Sequence, residues 1–331
     1  MIRFPTALAR LPATAALMTL VALMTFTGSA AAQQNYPNKP IRFIIPFAVG
    51  GATTVLARLV GEKLTESWGQ QVLVDNRPGG NTLIGSEAMV RSAPDGYTIL
   101  LATASHVTYP MLTPAPFDAI KDFAAVQTLS MSEYMLALNP SVPVNNLQEF
   151  IAYAKARPGQ LNFSTPGGGG MGHLAGEMFN ILAGVKMTHV PYKGGGPAVT
   201  DLVGGQVQLS FVVPINVLGH IKSGRLKPIA VTGRNRMENV PQMPTFTEAG
   251  LPGFDLNVWF GVLAPAATPK DIINKLANEI SRFVALPDFK EKLAAQGMDP
   301  FVTSPEQFAA LMKSDTAKFA KVIKAANIKL D

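Results

Sequence analysis

Residues 41–54 of the chain read Ile41-Arg42-Phe43-Ile44-Ile45-Pro46-Phe47-Ala48-Val49-Gly50-Gly51-Ala52-Thr53-Thr54. The first five residues form an apolar, β-branched run that predicts a buried strand, and the pair of glycines marks a turn. The residues that follow place apolar side chains on one helical face, at Leu56, Leu59, Val60 and Leu64. This strand–turn–helix unit predicts an α/β fold.

The same alternation continues along the chain in two units. Strands are predicted at Val72–Val74 and Thr98–Ala102, so the first unit is βαβαβ with a mostly parallel sheet. The second unit opens on a capping box at Asn146–Glu149. Its predicted strands are Leu161–Ser164, Met187–Val190, Leu209–Val213 and Pro228–Thr232.

Two apolar stretches, Ala125–Leu138 and Val258–Leu263, are long enough to cross between the units and predict a hinge. The predicted domains are residues 33–134 with 258–303, and residues 135–257 with 304–331, with packing of the last helix across both domains as the alternative. Helix starts are predicted at Thr268 and Ser304, since each hydroxyl precedes a proline, and Gln307 adds a capping box to the second.

The first 32 residues have the pattern of a secretory signal. Arg3 and Arg10 precede an apolar stretch from Leu11 to Phe26, and the small residues Ala30-x-Ala32 follow. We expect export and cleavage near Ala32. A membrane anchor is the alternative, which the shortness of the apolar stretch disfavours.

Composition excludes several classes of protein. The 331 residues contain no cysteine, which excludes disulfide scaffolds, zinc ribbons, iron–sulfur clusters and thiol nucleophiles. Charged residues make up 15%, and the net charge of +6 is not concentrated in a basic block. Nucleic acid is therefore not an expected partner.

Two glycine-rich turns, each after a strand and before a helix, are candidate anion sites. In open α/β sheets ligands lie at the carboxyl ends of strands, where helix N-termini offer free N–H groups and a positive dipole end. The first is Pro46–Thr54, for which a plain tight turn is the alternative. The second is Ser164–His173, whose Gly167-x-Gly169-x-x-Gly172 matches the dinucleotide fingerprint. A glycine run matches that pattern by chance and no acidic residue follows the next strand, so no dinucleotide cofactor is expected.

No catalytic or metal-binding set is visible. His173 and Glu177 are four residues apart but lack a third ligand, so a helix-surface pair is favoured over a metal site. No G-x-S-x-G motif occurs, and Ser105 and Ser164 have no evident base nearby. We therefore expect no enzyme, metal or cofactor, and keep an exported enzyme that uses His173 or Ser164 as the weaker alternative.

Six segments together resemble the Bug family, the extracytoplasmic solute receptors of tripartite tricarboxylate transporters, and they run in order from Tyr36 onward. They are Tyr36–Ile41, Pro46–Gly51, Val74–Gly80, Pro94–Thr98, His189–Gly194 and Trp259–Pro265. The resemblance implies a periplasmic, monomeric binding protein of the two-domain clamshell type (type II), with a ligand cleft between the domains. It further implies capture of a small carboxylate and transient docking to a two-subunit inner-membrane transporter. A sensory receptor read by a signalling partner needs the same closing cleft and stays open as an alternative.

The resemblance also implies which residues meet the ligand. In the first domain these are Phe47, Ala48, Gly50, Gly51, Ala52, Thr53 and Thr54, with Thr103 and Ser105 as a further wall. In the second domain they are Ser164, Thr165, Gly168, Gly169, Met171, Tyr192, Asp201 and Val213.

Two positions depart from the family pattern. The family commonly has Asp where this chain has Thr54, and often an acidic or amide-bearing pair where it has Val212-Val213. Fewer polar groups disfavour an amino-acid ammonium or a heavily hydroxylated ligand. We expect a plain mono- or dicarboxylate with an apolar or aromatic body.

Overall fold

The structure is a computed structural model that describes residues 36–237, 240–325 and 327–328. The predicted signal peptide, residues 1–32, lies outside the described residues. Within the described ranges, no helix combines the length and apolar character needed to cross a membrane.

Strands and helices alternate along most of the chain. The strands are β1 (Ile41–Ile45), β2 (Val72–Asn76), β3 (Thr98–Thr103), β4 (Phe123–Glu133), β5 (Met135–Leu138), β6 (Asn162–Thr165), β7 (Thr188–Pro191), β8 (Leu209–Val212), β9 (Lys227–Val231), β10 (Asn257–Pro265) and β11 (Asp299–Pro300). The helices are α1 (Ala52–Trp68), α2 (Leu83–Val90), α3 (Ser105–Thr108), α4 (Leu147–Lys155), α5 (Met171–Ala183), α6 (Gly195–Val203), α7 (Leu218–Lys222), α8 (Lys270–Val284), α9 (Pro287–Ala295) and α10 (Pro305–Ala325). Short 3₁₀ turns lie at Gly80–Thr82, Tyr109–Met111 and Pro214–Asn216.

The first sheet has six strands in the order β11-β4-β10-β3-β1-β2. Strand β1 pairs in parallel with β2 and β3, as the βαβαβ prediction requires. Strand β10 runs antiparallel to both β3 and β4. The expectation of a mostly parallel sheet is therefore wrong, because β10 lies between β3 and β4 and runs against both, and β11 runs against β4. This sheet and its helices, residues 41–133 and 257–325, are called the first lobe.

The second sheet has five strands in the order β7-β6-β8-β5-β9 and is also mixed. Strands β6, β7 and β8 are parallel, whereas β5 is antiparallel to β8 and β9. Its core contains a group of packed aromatic rings, Phe150, Phe163, Phe179, Phe211 and Phe246, each fully buried. Residues 135–256 are called the second lobe.

Two strand connections join the lobes, as the predicted crossings require. Glu133 at the end of β4 and Asn257 at the start of β10 lie opposite each other, so the two crossings are side by side. Thr232 ties them together: its hydroxyl accepts from the Tyr134 N–H (2.9 Å) and donates to the Leu256 carbonyl (2.7 Å). The hinge is thus a pair of adjacent chain segments held by one buried threonine.

The last helix belongs with the first lobe. Helix α10 packs on β4, its Phe308 ring lies edge-on to Trp259 of β10 (5.0 Å between centroids), and the Trp259 Nε1–H donates to Asp315 at 2.8 Å. The placing of residues 304–331 in the second domain is therefore wrong for this helix. Its apolar face is specified by the long-range partner Trp259.

The predicted helix starts have different outcomes. Ser304 and Gln307 form the predicted reciprocal capping box, and Asn146 caps α4 by accepting from the Glu149 N–H. Helix α8 begins one residue later than its motif indicates, because Pro269 is the N-cap and the buried Thr268 hydroxyl has no partner among the described residues.

Candidate ligand cleft

The first glycine-rich turn is fastened by a neighbouring strand. At the end of β2, the Asn76 amide donates to the Phe47 carbonyl (2.9 Å) and to the Thr54 hydroxyl (3.0 Å). Gly50 has a φ of 94°, a left-handed conformation that glycine adopts without strain. Helix α1 then begins at Ala52 with Gly51 as its N-cap, so no side chain of the turn itself caps the helix.

Two stacked histidines support the second glycine-rich turn. The His173 and His189 rings are 3.8 Å apart and nearly parallel. The Gly169 N–H donates to His173 Nδ1 (3.0 Å), and the Thr165 hydroxyl donates to the Gly167 carbonyl (2.9 Å). Since that hydroxyl proton is used, His189 Nε2 donates to Thr165 Oγ1 at 2.7 Å. Burial, together with the neighbouring His173, lowers the pKa of His189 to about 3, so this ring is neutral at physiological pH.

This arrangement gives His173 a structural role. Its Nδ1 is occupied by the turn and its Nε2 lies 3.7 Å from Glu177. Among the described residues, no group of three or more His, Asp and Glu side chains forms a metal site.

A cavity, here called the chamber, lies between the two turns. Its polar groups are hydroxyls and amides, and its apolar groups come from residues such as Phe47, Met171 and Phe260. None of the described residues that line it has a charged side chain. Three helices, α1, α5 and α6, begin at its wall, because Ala52, Met171 and Gly195 all line it.

Hydrogen bonds join the two lobes directly beside the chamber. The Ala48 N–H donates to the Lys193 carbonyl (2.8 Å), and the Ala52 N–H donates to Asn216 Oδ1 (2.9 Å). On the other side, the Thr108 hydroxyl donates to the Gly169 carbonyl (2.9 Å). The lobes are therefore in a closed arrangement.

A second cavity, here called the side pocket, adjoins the chamber. The two share the walls Phe47, Asn81, Thr82 and Pro166. Lys193, whose side chain is exposed, lines the side pocket and is the one cationic side chain among its described wall residues. The side pocket thus places a positive charge next to an uncharged chamber.

About half of the predicted ligand residues line the chamber. They are Phe47, Gly51, Ala52, Thr53, Thr103, Ser105, Gly168, Met171 and Val213. The other predicted residues do not line it: Ala48, Gly50, Thr54, Ser164, Thr165, Gly169, Tyr192 and Asp201.

Most of the predicted residues that do not line the chamber lie behind its wall and support it. Ser164 is buried and donates to the Ala198 carbonyl, and the Thr54 hydroxyl accepts from the Asn76 amide. The Tyr192 hydroxyl donates to Asp201 at 2.6 Å, while Tyr192 itself lines the side pocket. Burial and the bond to Asp201 raise the pKa of Tyr192 to about 12.

Sequence reasoning missed several chamber residues. They are Asn81, Thr82, Tyr109, Tyr134, Gly195, Asn216, Val258 and Phe260. Pro166, Gly167, Gly170 and Gly172 also line the chamber and belong to the predicted turn Ser164–His173. Asn81 and Thr82 follow β2 and Asn216 follows β8, so the rule that ligands lie at strand ends identifies them. Asn81 and Thr82 also have positive φ angles of 50° and 81°. Such strain in non-glycine residues is typical of ligand sites.

Comparison with known proteins decides the family. Residues 56–328 match the family described as Tripartite tricarboxylate transporter family receptor. The chain belongs to this receptor family. Protein BugT of Bordetella pertussis is 35% identical over 320 residues, which cover 95% of this chain and 98% of BugT.

Two solved structures agree with the family assignment. A structure described as a periplasmic transporter superposes on this receptor with a TM-score of 0.87 at 38% identity, covering 89% of this chain and 100% of the other. Rpa4515 of R. palustris with adipate superposes with a TM-score of 0.87 at 32% identity, covering 89% and 99%. The Bug resemblance, the two-domain periplasmic binding protein fold and the role of a solute-binding transport receptor are confirmed.

Proposed function

We propose that this receptor, processed near Ala32 and acting in the periplasm as a monomer, captures a small carboxylate with an apolar body in the chamber. Closure of the lobes buries the ligand, and opening at a two-subunit inner-membrane transporter releases it unchanged. The observation that carries the proposal is the convergence of three helix N-termini on one chamber whose described wall residues have uncharged side chains.

Helix N-termini favour anions because their first N–H groups have no partner within the helix and the dipole is positive there. Helix α1 has 17 residues, α5 has 13, and both begin with glycine N-caps that offer no side-chain acceptor. The hydroxyls of Thr53, Thr103 and Ser105 add donors around the same space. Four charge-assisted hydrogen bonds of about 1.5–3 kcal/mol each, after the cost of association, are consistent with micromolar affinity near about −8 kcal/mol.

The chamber's apolar residues support a ligand with an alkyl or aromatic body. Val213, Val258 and Phe260 face it and cannot accept a hydrogen bond from an ammonium or a hydroxyl. An α-amino acid would leave its ammonium without an acidic partner, which is unfavourable in a closed cavity. The relative Rpa4515 has been solved with adipate, a dicarboxylate of the expected type.

Native mass spectrometry of the purified receptor, followed by calorimetric titration, tests this proposal. The panel is adipate, hexanoate, benzoate, malate, glutamate and adipamide. We expect adipate, hexanoate or benzoate to bind with micromolar affinity and glutamate and adipamide to show no binding. Recovered ligand analysed by NMR should be unchanged. Binding of amino acids or amides alone, or the absence of binding by any carboxylate, would overturn the proposal.

A further inference from the structure

Asn216 of the second lobe completes a helix of the first lobe. It ends the 3₁₀ turn Pro214–Asn216 that follows β8, and its Oδ1 accepts from the Ala52 N–H at 2.9 Å. Ala52 is the first residue of α1, and the N-cap of that helix is Gly51, which has no side chain. Asn216 therefore satisfies one of the free N–H groups at the start of α1, as an N-cap side chain does, but from the opposite lobe and at the first helical residue.

The Asn216 amide is held between two helix starts. A Cβ added at Gly195, the first residue of α6, would lie 2.3 Å from Asn216 Nδ2, so the glycine makes room for the amide. Asn216 also lines the chamber. One side chain thus touches the N-termini of α1 and α6 and the space between them.

Only the closed arrangement of the lobes can make this cap, because its donor and acceptor lie in different lobes. When the lobes separate, the Ala52 N–H loses its acceptor in the second lobe and donates instead to water or to an entering anion. When they close, Asn216 takes this N–H, and the ligand must use other donors.

We propose that Asn216 is a positioning residue that couples lobe closure to the ligand chamber. It stabilises the closed state by capping α1 and removes the Ala52 N–H from the ligand's set of donors. This inference rests on the proposed capture of a carboxylate for its second half, whereas the cap itself does not depend on the ligand.

The chemistry of the side chain follows from these two tasks. An aspartate at position 216 would accept from Ala52 at least as well, because the helix dipole favours a negative charge there. It would also place a negative charge on the wall of a chamber that has to receive an anion. An amide accepts the hydrogen bond from the start of the helix and carries no charge that would repel the ligand.

Distance measurements between two spin labels test the cap without any ligand. The chain has no native cysteine, so Glu62→Cys on α1 and Lys155→Cys on α4 can be labelled selectively, and both sites are exposed. The variants are Asn216→Ala, which removes the acceptor, and Asn216→Asp, which keeps it. The matched control is Asn146→Ala, which removes a cap that acts within the second lobe.

The ratio of closed to open receptor should fall about fivefold in Asn216→Ala, the effect of losing one N-cap. It should be unchanged or higher in Asn216→Asp. Asn146→Ala should lower the melting temperature and leave this ratio unchanged. An unchanged ratio in Asn216→Ala, or an equal loss in Asn216→Asp and Asn216→Ala, would overturn the cap.

Titration with adipate as the probe tests the second half of the proposal, the role of Asn216 in the chamber. Asn216→Ala should weaken adipate binding about fivefold through faster dissociation, and Asn216→Asp should weaken it at least about fiftyfold by like-charge repulsion. Wild-type affinity in Asn216→Asp would overturn the role in the chamber. If the unaltered receptor binds neither adipate nor any other carboxylate, the proposed function fails, while the label distances still decide the cap.

Discussion

Glu133 Oε2 accepts a hydrogen bond from the Gly233 N–H at 3.1 Å, at the point where the chain leaves the first lobe. A Cβ at Gly233 would lie 1.7 Å from Glu133 Oε1, so the carboxyl group rests on the glycine. Burial raises the pKa of Glu133 to about 7; the Gly233 N–H acts in the opposite direction, and the carboxylates of Asp299 and Asp255 each add a smaller upward effect. Asp255 is itself paired with Arg234 at 2.7 Å, and Lys318 donates to its carbonyl. The hinge therefore carries a carboxyl group that titrates near neutral pH.

Replacing this carboxyl group should change how stability depends on pH. Between the ordinary carboxyl pKa of about 4.5 and about 7, the folded receptor keeps a proton on Glu133 that the unfolded chain has released. The unfolding free energy of the wild type should therefore fall, relative to Glu133→Gln, as the pH rises through this window. Urea unfolding at pH 5, 6, 7 and 8 measures this difference.

The matched control is Glu248→Gln. The Thr245 N–H and Arg236 lower the pKa of Glu248, so its contribution is lost at acidic pH and is constant between pH 5 and 8. The unfolding free energies of Glu248→Gln and wild type should change in parallel with pH in this range. A parallel course of Glu133→Gln and wild type would show that the hinge carboxyl group is not protonated there.

Local sequence patterns predict the units of this fold but not how they are assembled. The run Ile41–Ile45 and the glycines behind it specify a strand, a turn and a helix through short-range preferences. The direction of β10 depends on a pairing with β4 that is separated by more than a hundred residues, and no local pattern encodes it. Likewise, the apolar face of α10 does not by itself indicate which apolar surface it covers. The contact between Phe308 and Trp259 determines that surface in the folded chain.

The same limit applies to the cleft. The glycine-rich turns can be recognised in the sequence, because glycines that directly follow a predicted strand rarely indicate anything other than a turn. Thr54 looks like a ligand residue by position, yet it is buried, does not line the chamber, and its hydroxyl accepts from the Asn76 amide, 22 residues away. Asn216 belongs to no motif, and its role depends on a helix start 164 residues earlier. Residues that act across the cleft are found only when both lobes are placed together.

A single methyl group at Gly196 should prevent closure while leaving each lobe intact. Gly196 lies in the first turn of α6 and its φ is not left-handed, so alanine suits its backbone and is the better helix former. Its added Cβ would lie 2.8 Å from the Val49 carbonyl oxygen in the opposite lobe. Gly196→Ala should keep or raise the melting temperature and weaken carboxylate binding at least about tenfold, since closure supplies most of the buried contacts.

The control for this substitution is Gly219→Ala in α7, where an added Cβ meets nothing within 4 Å. Titration calorimetry with adipate and label distances between the lobes should be unchanged in this variant. Wild-type affinity and closure in Gly196→Ala would show that the backbone contact between the turns at Val49 and Gly196 can relax.

Lys193 should discriminate dicarboxylates from monocarboxylates. A ligand whose first carboxylate lies in the chamber can extend a second one into the side pocket past the shared walls Phe47 and Pro166. Lys193→Gln should weaken adipate binding about two- to fivefold, as expected for an exposed ion pair, and leave hexanoate within about twofold. The loss should shrink at high salt, because exposed charges are screened. Lys186→Gln, an exposed lysine of the same lobe, is the control and should change neither affinity. Equal losses for the diacid and the monoacid would contradict a second carboxylate at Lys193, since hexanoate has no group to place there.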